Sequence, residues 1–292
     1  MATRTPATIA SDEPMLTYLD DATGERTELT GPQLGQWAAR SAGLLRDACG
    51  LRPGDRVAVL LPPHWRTAAV LIGAWSIGLT VSFRPRALAG LPVLEPGADR
   101  PYDAVFVTPE RLDDWLEDVP EGTHRYLVGT GPGQLAEVPP GWLDWSAEVL
   151  RHPTDPPDYV AVDPAGPATP DGTSFGAWRR LAAEIATQMN LHQGDRLVID
   201  PTEDEQPLKW LLAPSRQAPR SWSTPPPPPA LAPALPARAA PTALALALAL
   251  VDLAVSALLM PGLRLLSGQQ LHDQRGDGAA SVDLGVAPRW SD

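Results

Sequence analysis

Between Asp163 and Ser174 the chain reads DPAGPATPDGTS, a Pro/Gly-rich connection that ends in residues able to present a hydroxyl. Lys209 is the only lysine against 22 arginines, and it falls on an expected helix beside Trp210. Gly172-Thr173-Ser174-Phe175-Gly176 also fits G-x-S-x-G, the turn that presents a nucleophilic serine. That chemistry requires a strand directly before the serine, where DPAGPATPD stands, and an acid followed by a histidine downstream, where only His192 and His272 remain. Helix N-capping is the simpler role for Ser174.

Other candidates carry less. Gly129-Thr130-Gly131-Pro132-Gly133 follows an expected strand as a dinucleotide loop would, but Gln134 and Pro139-Pro140 deny it the helix that must come next, so a surface loop is expected. Five histidines, at 64, 124, 152, 192 and 272, show no metal-ligand spacing, and His64 beside Trp65 at a helix start reads as structural. Arg275-Gly276-Asp277 reads as a chance tripeptide.

The elements that would position these residues are clearest from Thr30 to Phe83. Thr30 is an N-cap type and Pro32 suits the first turn of a helix. Leu34, Trp37, Ala38, Ser41, Leu44, Leu45 and Ala48 recur at three- and four-residue spacing, and Gly50 ends the stripe. Pro53-Gly54-Asp55 turns the chain into Val57 to Leu61, an unbroken apolar run expected of a buried parallel strand. Trp65 to Ile77 resumes helical spacing up to Gly78, and Leu79 to Phe83 forms the next strand. Before this unit, Leu16 to Leu19 and Arg26 to Leu29 flank an Asp- and Gly-bearing reversal and read as a β-hairpin.

After it, 84–101 reads as loop. Ala104 to Val107, Arg125 to Val128 and Tyr159 to Val162 read as strands, and Pro109 to Glu117 and Trp142 to Leu150 as helices. Residues 174–212 then echo 30–83: Leu191, Gly194, Asp195 and Arg196 stand 140 positions after Leu51, Gly54, Asp55 and Arg56. Either the two are independent joints with shared turn chemistry, or they are pseudo-repeat units of one α/β domain. The expected fold is α/β, a doubly wound and mostly parallel sheet with an N-terminal β-hairpin, truncated and followed by a low-complexity tail.

Composition divides the chain near Pro214. Residues 1–214 carry 30 Asp and Glu against 17 Lys and Arg, whereas 215–292 carry 5 against 6 with no Glu or Lys. An acidic surface argues against nucleic-acid binding, which requires basic charge facing phosphates. Cys49 is the only cysteine, which excludes a disulfide framework and fits a reducing cytosol; the first fifteen residues have no apolar core, so no secretory leader is expected. Ten prolines between Pro214 and Pro241 forbid a packed element, so disorder or polyproline II is expected there. Ala243 to Met260 approaches bilayer-spanning length, but Asp252 near its middle costs roughly 2.5–3.5 kcal/mol while each leucine returns only ~0.5, so no membrane span is expected. The abrupt change of composition also matches a shifted reading frame, in which case 215–292 would not belong to the fold.

Residues 16–214 resemble the N-terminal part of the acyl-adenylate-forming, AMP-binding and acyl-CoA synthetase-like superfamily. The resemblance is carried by Glu28-Leu29-Thr30 to Leu34, by LRPGDRVAVLLPPHW at 51–65 and by GAWSIG at 73–78, and it is closest to a short actinobacterial group that keeps this front half and little else. It implies that the region from Tyr159 to Phe175 corresponds to the loop that, in full-length members, ends in Pro-Lys-Gly and holds the ATP phosphates. Asp163, Gly166, Thr169, Gly172, Thr173 and Ser174 are then the remains of a nucleotide site that lacks the Ser/Gly spacing whose amides cradle phosphate and the lysine that neutralises it, with ATP or AMP bound only if the altered loop still accepts it. The adenine, ribose and hinge motifs and the lysine-bearing C-terminal domain have no counterpart here. Three functions stay open: an incomplete adenylate-forming protein with a cleft for a fatty or aryl acid, an interaction module whose sheet a partner chain completes, and a serine hydrolase using Ser174. No metal and no resident cofactor are expected.

Overall fold

The computed structural model describes residues 14–20, 24–155, 161–192, 195–215, 265–266 and 281–283. The expectations for the Pro-rich run, for Ala243 to Met260, for Gly194 and for Arg275 to Asp277 lie outside these residues.

The first described elements form a hairpin, β1 (Leu16–Asp20) against β2 (Glu25–Leu29), antiparallel with Leu16 opposite Leu29 and Asp20 opposite Glu25. Thr30 then caps α1 (Gly31–Gly43) with a capping box: its hydroxyl accepts Gln33 N–H at 3.4 Å, and the Gln33 side chain accepts Thr30 N–H at 2.8 Å. A π turn, Leu44–Ala48, and Gly50 at φ 73° end the helix. The chain proceeds through β3 (Arg56–Leu60), α2 (Trp65–Ser76) and β4 (Thr80–Phe83) as the hydrophobic spacing predicts.

After a single 3₁₀ turn at Arg86–Leu88 come β5 (Tyr102–Val107), α3 (Pro109–Leu112), β6 (Gly122–Leu127), β7 (Leu143–Asp144) and α4 (Trp145–Val149). These strands form one parallel sheet in the order β4-β3-β5-β6-β7. The order reverses at β3, so the two crossovers must lie on opposite faces if both are right-handed. They do. Val57, Val59, Ala104, Phe106 and Tyr126 face a core built with α1 and α2, while Ala58, Leu60, Val105, Val107 and Leu127 face a smaller core closed by Leu112, Val119 and Trp142.

The two helices of the larger face touch through small residues. A Cβ at Gly73 of α2 would lie 2.7 Å from Ser41 Cβ and 2.8 Å from Ala38 O of α1, so glycine sets their separation. Trp37 is only half-buried and packs at the rim on Trp65 and Trp145, at ring separations of 5.1 and 5.9 Å.

Three expectations need correction. The helix expected at Pro109 to Glu117 stops at Leu112, because Arg111 reaches forward to clamp the Glu117 carboxylate and Asp114 Oδ1 takes the Leu116 N–H. The helix expected from Trp142 starts at Trp145, because Asp144 completes the sheet as β7 and then caps α4 by accepting Ser146 N–H at 2.8 Å. No strand forms at 161–162; of the strand expected from Tyr159, residues 159 and 160 lie outside the described residues.

The second α/β stretch gives α5 (Phe175–Gln188), β8 (Arg196–Leu197), a π turn at Leu208–Leu212 and α6 (Ala213–Ser215). Here β8 does not join the parallel sheet. It pairs antiparallel with β9 (Leu265–Leu266), and β10 (Ser281–Asp283) pairs with β1. No helix among the described residues is long and apolar enough to cross a membrane.

Candidate functional site

The Asp163–Ser174 segment folds as a closed loop laid along the free edge of β4. Val81 N–H donates to Ala168 O at 2.9 Å, Thr80 Oγ1 to Pro167 O at 3.1 Å and Trp75 Nε1 to Ala168 O at 3.3 Å. Covering an edge strand in this way removes unpaired backbone groups that would otherwise invite aggregation. The indoles of Trp75 and Trp178, 5.3 Å apart, close the joint from α2 and α5.

Inside the loop most of the amides are already used. Ala165 N–H donates to Asp163 Oδ1 and Gly166 N–H to Asp163 O, both at 2.9 Å. Ala168 N–H donates to Thr173 O at 2.8 Å, Gly172 N–H to Thr169 O at 3.0 Å, Phe175 N–H to Gly166 O at 2.9 Å and Gly176 N–H to Pro164 O at 2.5 Å. The tip is organised by Asp171, whose Oδ1 accepts Thr169 Oγ1–H at 2.5 Å and Thr173 N–H at 3.0 Å, while Gly172 takes the left-handed φ of 86° the turn needs. Burial pushes the Asp171 carboxyl up, but the hydrogen bonds from Thr169 and Thr173 outweigh it, so the acid sits below its ordinary range and carries a negative charge at the tip.

The chemical consequence is direct. A phosphate cradle needs convergent free N–H groups and a cation, whereas this loop turns its amides onto its own carbonyls and presents a carboxylate. Ser174 Oγ accepts Ala177 N–H at 3.1 Å as the N-cap of α5. Lys209 donates to Asp204 Oδ1 at 3.0 Å. Thus Thr169, Gly172 and Thr173 meet around Asp171, Asp163 and Gly166 form the base of the same loop, and Ser174 belongs to the helix start. Asp171 escaped the sequence reading, although Asp-Gly followed by Thr is a turn signal that could have found it.

A second constellation lies where ligands bind in open α/β sheets, at the carboxyl ends of the strands beside the reversal of strand order. His64 caps α2, its Nδ1 accepting Arg66 N–H at 3.1 Å, and Arg66 reaches over the loop after β6 to the carbonyls of Gly129 and Gly133. Asp144 Oδ2 holds the far side of that loop through Leu135 N–H at 3.0 Å. The 129–133 run is therefore a loop gripped by arginine rather than a dinucleotide turn opening a helix. Burial, with the neighbouring Arg66 charge, lowers the His64 pKa to about 3, so the imidazole is neutral at physiological pH and is no proton shuttle there. Its ring meets Tyr18 edge-on at 4.3 Å, which fastens the hairpin to the sheet. Among the described residues no group of three or more His, Cys, Asp or Glu is placed to hold a metal ion.

Comparison with known proteins agrees with the sequence resemblance at the N-terminal part of the chain. Residues 3–90 match the family model described as AMP-binding enzyme. A TIGR03089 family protein of Mycobacterium tuberculosis is 46% identical over 99 residues, which cover 34% of this chain and 35% of that protein. The chain therefore matches about a third of the length of that actinobacterial relative. Among solved structures, an acyl-CoA synthetase of Brucella canis is 24% identical, with a TM-score of 0.41 over 55% of this chain and 30% of that one. The acetoacetyl-CoA synthetase of Streptomyces lividans is 23% identical, with a TM-score of 0.40 over 49% and 23% of the two chains.

Proposed function

We propose that this protein is an incomplete member of the adenylate-forming, acyl-CoA synthetase-like group that does not activate acids with ATP on its own. The observation that carries this reading is how far the loop of residues 163–176 bonds to itself: seven of its eleven amides, those of Ala165, Gly166, Ala168, Gly172, Thr173, Phe175 and Gly176, are donated within the loop. Phosphate binding would require breaking several of these bonds beside the Asp171 carboxylate, with no lysine at hand. In this reading the α/β scaffold is retained, the loop serves as an edge cover, no resident cofactor is held, and the protein works in the cytoplasm.

The test is pyrophosphate release from ATP and Mg²⁺ in the presence of a panel of fatty and aryl acids. The expected result is release at the no-acid background. Acid-dependent release would overturn the proposal, and release that survives Lys209→Ala would mean that arginine neutralises the phosphates. The nucleophile reading has a separate check: a fluorophosphonate probe should leave Ser174 unlabelled, because its hydroxyl is committed to capping α5.

A further inference from the structure

Two loops that the functional reading leaves unused bring large apolar side chains to the surface together. Leu88, Leu91 and Leu94 come from the connection between β4 and β5, and Trp115 and Leu116 from the connection between β5 and β6. Leu94 is 91% exposed and Trp115 87%. The loops meet where a Cβ on Gly90 would lie 3.7 Å from Leu116 Cδ2. Between them is a cavity of about 370 Å³, lined among others by Phe83, Leu91, Val93, Arg84, Glu117 and Asp118.

The walls of this cavity are braced from behind. Arg111 clamps Glu117 through two bonds of 2.6 and 2.8 Å, with both side chains almost fully buried, and donates to Arg84 O at 2.7 Å. Arg84 donates to Asp118 O at 3.3 Å. From the other side the Glu205 carboxylate takes Arg86 N–H at 2.8 Å and Ala87 N–H at 3.0 Å. A preorganised depression binds without the cost of ordering its own walls.

Charge decides what would fill it. The two connections hold eight Asp and Glu against four arginines, and three of those arginines are already matched: Arg84 with Glu95 at 3.6 Å, Arg86 with Asp114 at 3.1 Å and Arg111 with Glu117 at 2.6 Å. Asp113, Asp118 and Glu121 are exposed and, among the described residues, have no cation within 4.0 Å. The rim is thus apolar and negative. A free carboxylic acid is disfavoured there, and a second copy of this chain, with its formal net charge of −12, would bring the same acids face to face. A small molecule is also a poor match, because the leucines of the wall and Trp115 beside it would stay largely in water.

We propose that this face docks a basic amphipathic segment of another polypeptide, which places one or two large apolar side chains in the cavity and arginine or lysine beside Asp113 and Asp118.

The test uses the full chain and two labelled synthetic helices with the same leucine face, one with lysine and one with glutamate on the polar face, titrated by fluorescence anisotropy. The lysine helix should bind saturably and at least about tenfold more tightly than the glutamate helix. Leu91→Ser and Trp115→Ser should each weaken it by about tenfold or more, while Leu150→Ser, at an exposed leucine outside the patch, should not. No saturable binding of the lysine helix, equal binding of the two helices, or binding indifferent to Leu91 and Trp115 would overturn the proposal. So would sedimentation showing a dimer that Trp115→Ser dissociates, since the occupant would then be a second copy.

Discussion

Asp55 and Asp195, 140 positions apart, make the same turn: each accepts through Oδ2 the backbone N–H three residues earlier, from Arg52 and from His192, at 2.7 Å in both cases. The reverse bonds, Asp55 N–H to Arg52 O at 3.0 Å and Asp195 N–H to His192 O at 3.1 Å, complete the match. The helices before them end alike, with Gly50 at φ 73° and Asn190 at φ 52°. Beyond the turns the two segments diverge. Asp55 O receives Thr80 N–H at 2.9 Å and leads into β3, an interior strand of the five-stranded sheet, whereas Asp195 leads into the two-residue β8.

That difference sets the first expectation. Asp55→Ala should cost about 1–2 kcal/mol in urea unfolding, and Asp195→Ala less than about 1 kcal/mol, because only the first turn fixes the entry to a buried strand. Equal losses at the two sites would mean that β8 matters to the fold as much as β3 does.

The contact between α1 and α2 supplies the second. Adding a methyl group at Gly73 drives it into Ser41 Cβ and the Ala38 carbonyl, so Gly73→Ala should destabilise by about 1–3 kcal/mol although alanine favours helices. Leu71→Ala, at a fully buried position, should cost about 2–5 kcal/mol. A neutral Gly73→Ala would show that the two helices can separate freely.

Buried His64 predicts a pH dependence. Its folded pKa of about 3 lies below the ordinary 6.5, so between these values the unfolded chain binds the extra proton. Stability contributed by neutral His64 is therefore complete above pH 6.5 and is lost as pH falls toward 3, with a slope of at most about 1.4 kcal/mol per pH unit. His64→Asn, which keeps a capping acceptor for Arg66 N–H, should flatten the stability curve between pH 6.5 and 4. An unchanged slope would assign the acid sensitivity to other groups.

The fold was legible where local signals agreed with tertiary need. Thr30, Gly50, the apolar run after Asp55 and the spacing from Trp65 to Trp75 each gave an element at its observed place. Sequence reasoning failed where a side chain acted at a distance: Arg111 ends its helix by reaching Glu117, and Asp144 is strand, cap and loop anchor at once, neither of which has a periodicity to read. At the candidate site the family resemblance located the region of a phosphate loop, and the missing lysine was visible in the sequence. The direction in which the amides point was not, because it depends on the docking of Pro167 and Ala168 against β4 and on the Asp171 hub.

A 163–176 loop that commits most of its amides to its own acceptors should be closed to phosphate. The most direct measurement is titration of ATP and of AMP, with Mg²⁺, into the full chain by isothermal calorimetry. The expected result is no saturable binding up to about 1 mM, which corresponds to less than about 4 kcal/mol of affinity. A saturable isotherm in the low micromolar range that Gly172→Val or Thr173→Val abolishes would place a nucleotide in this loop and contradict it.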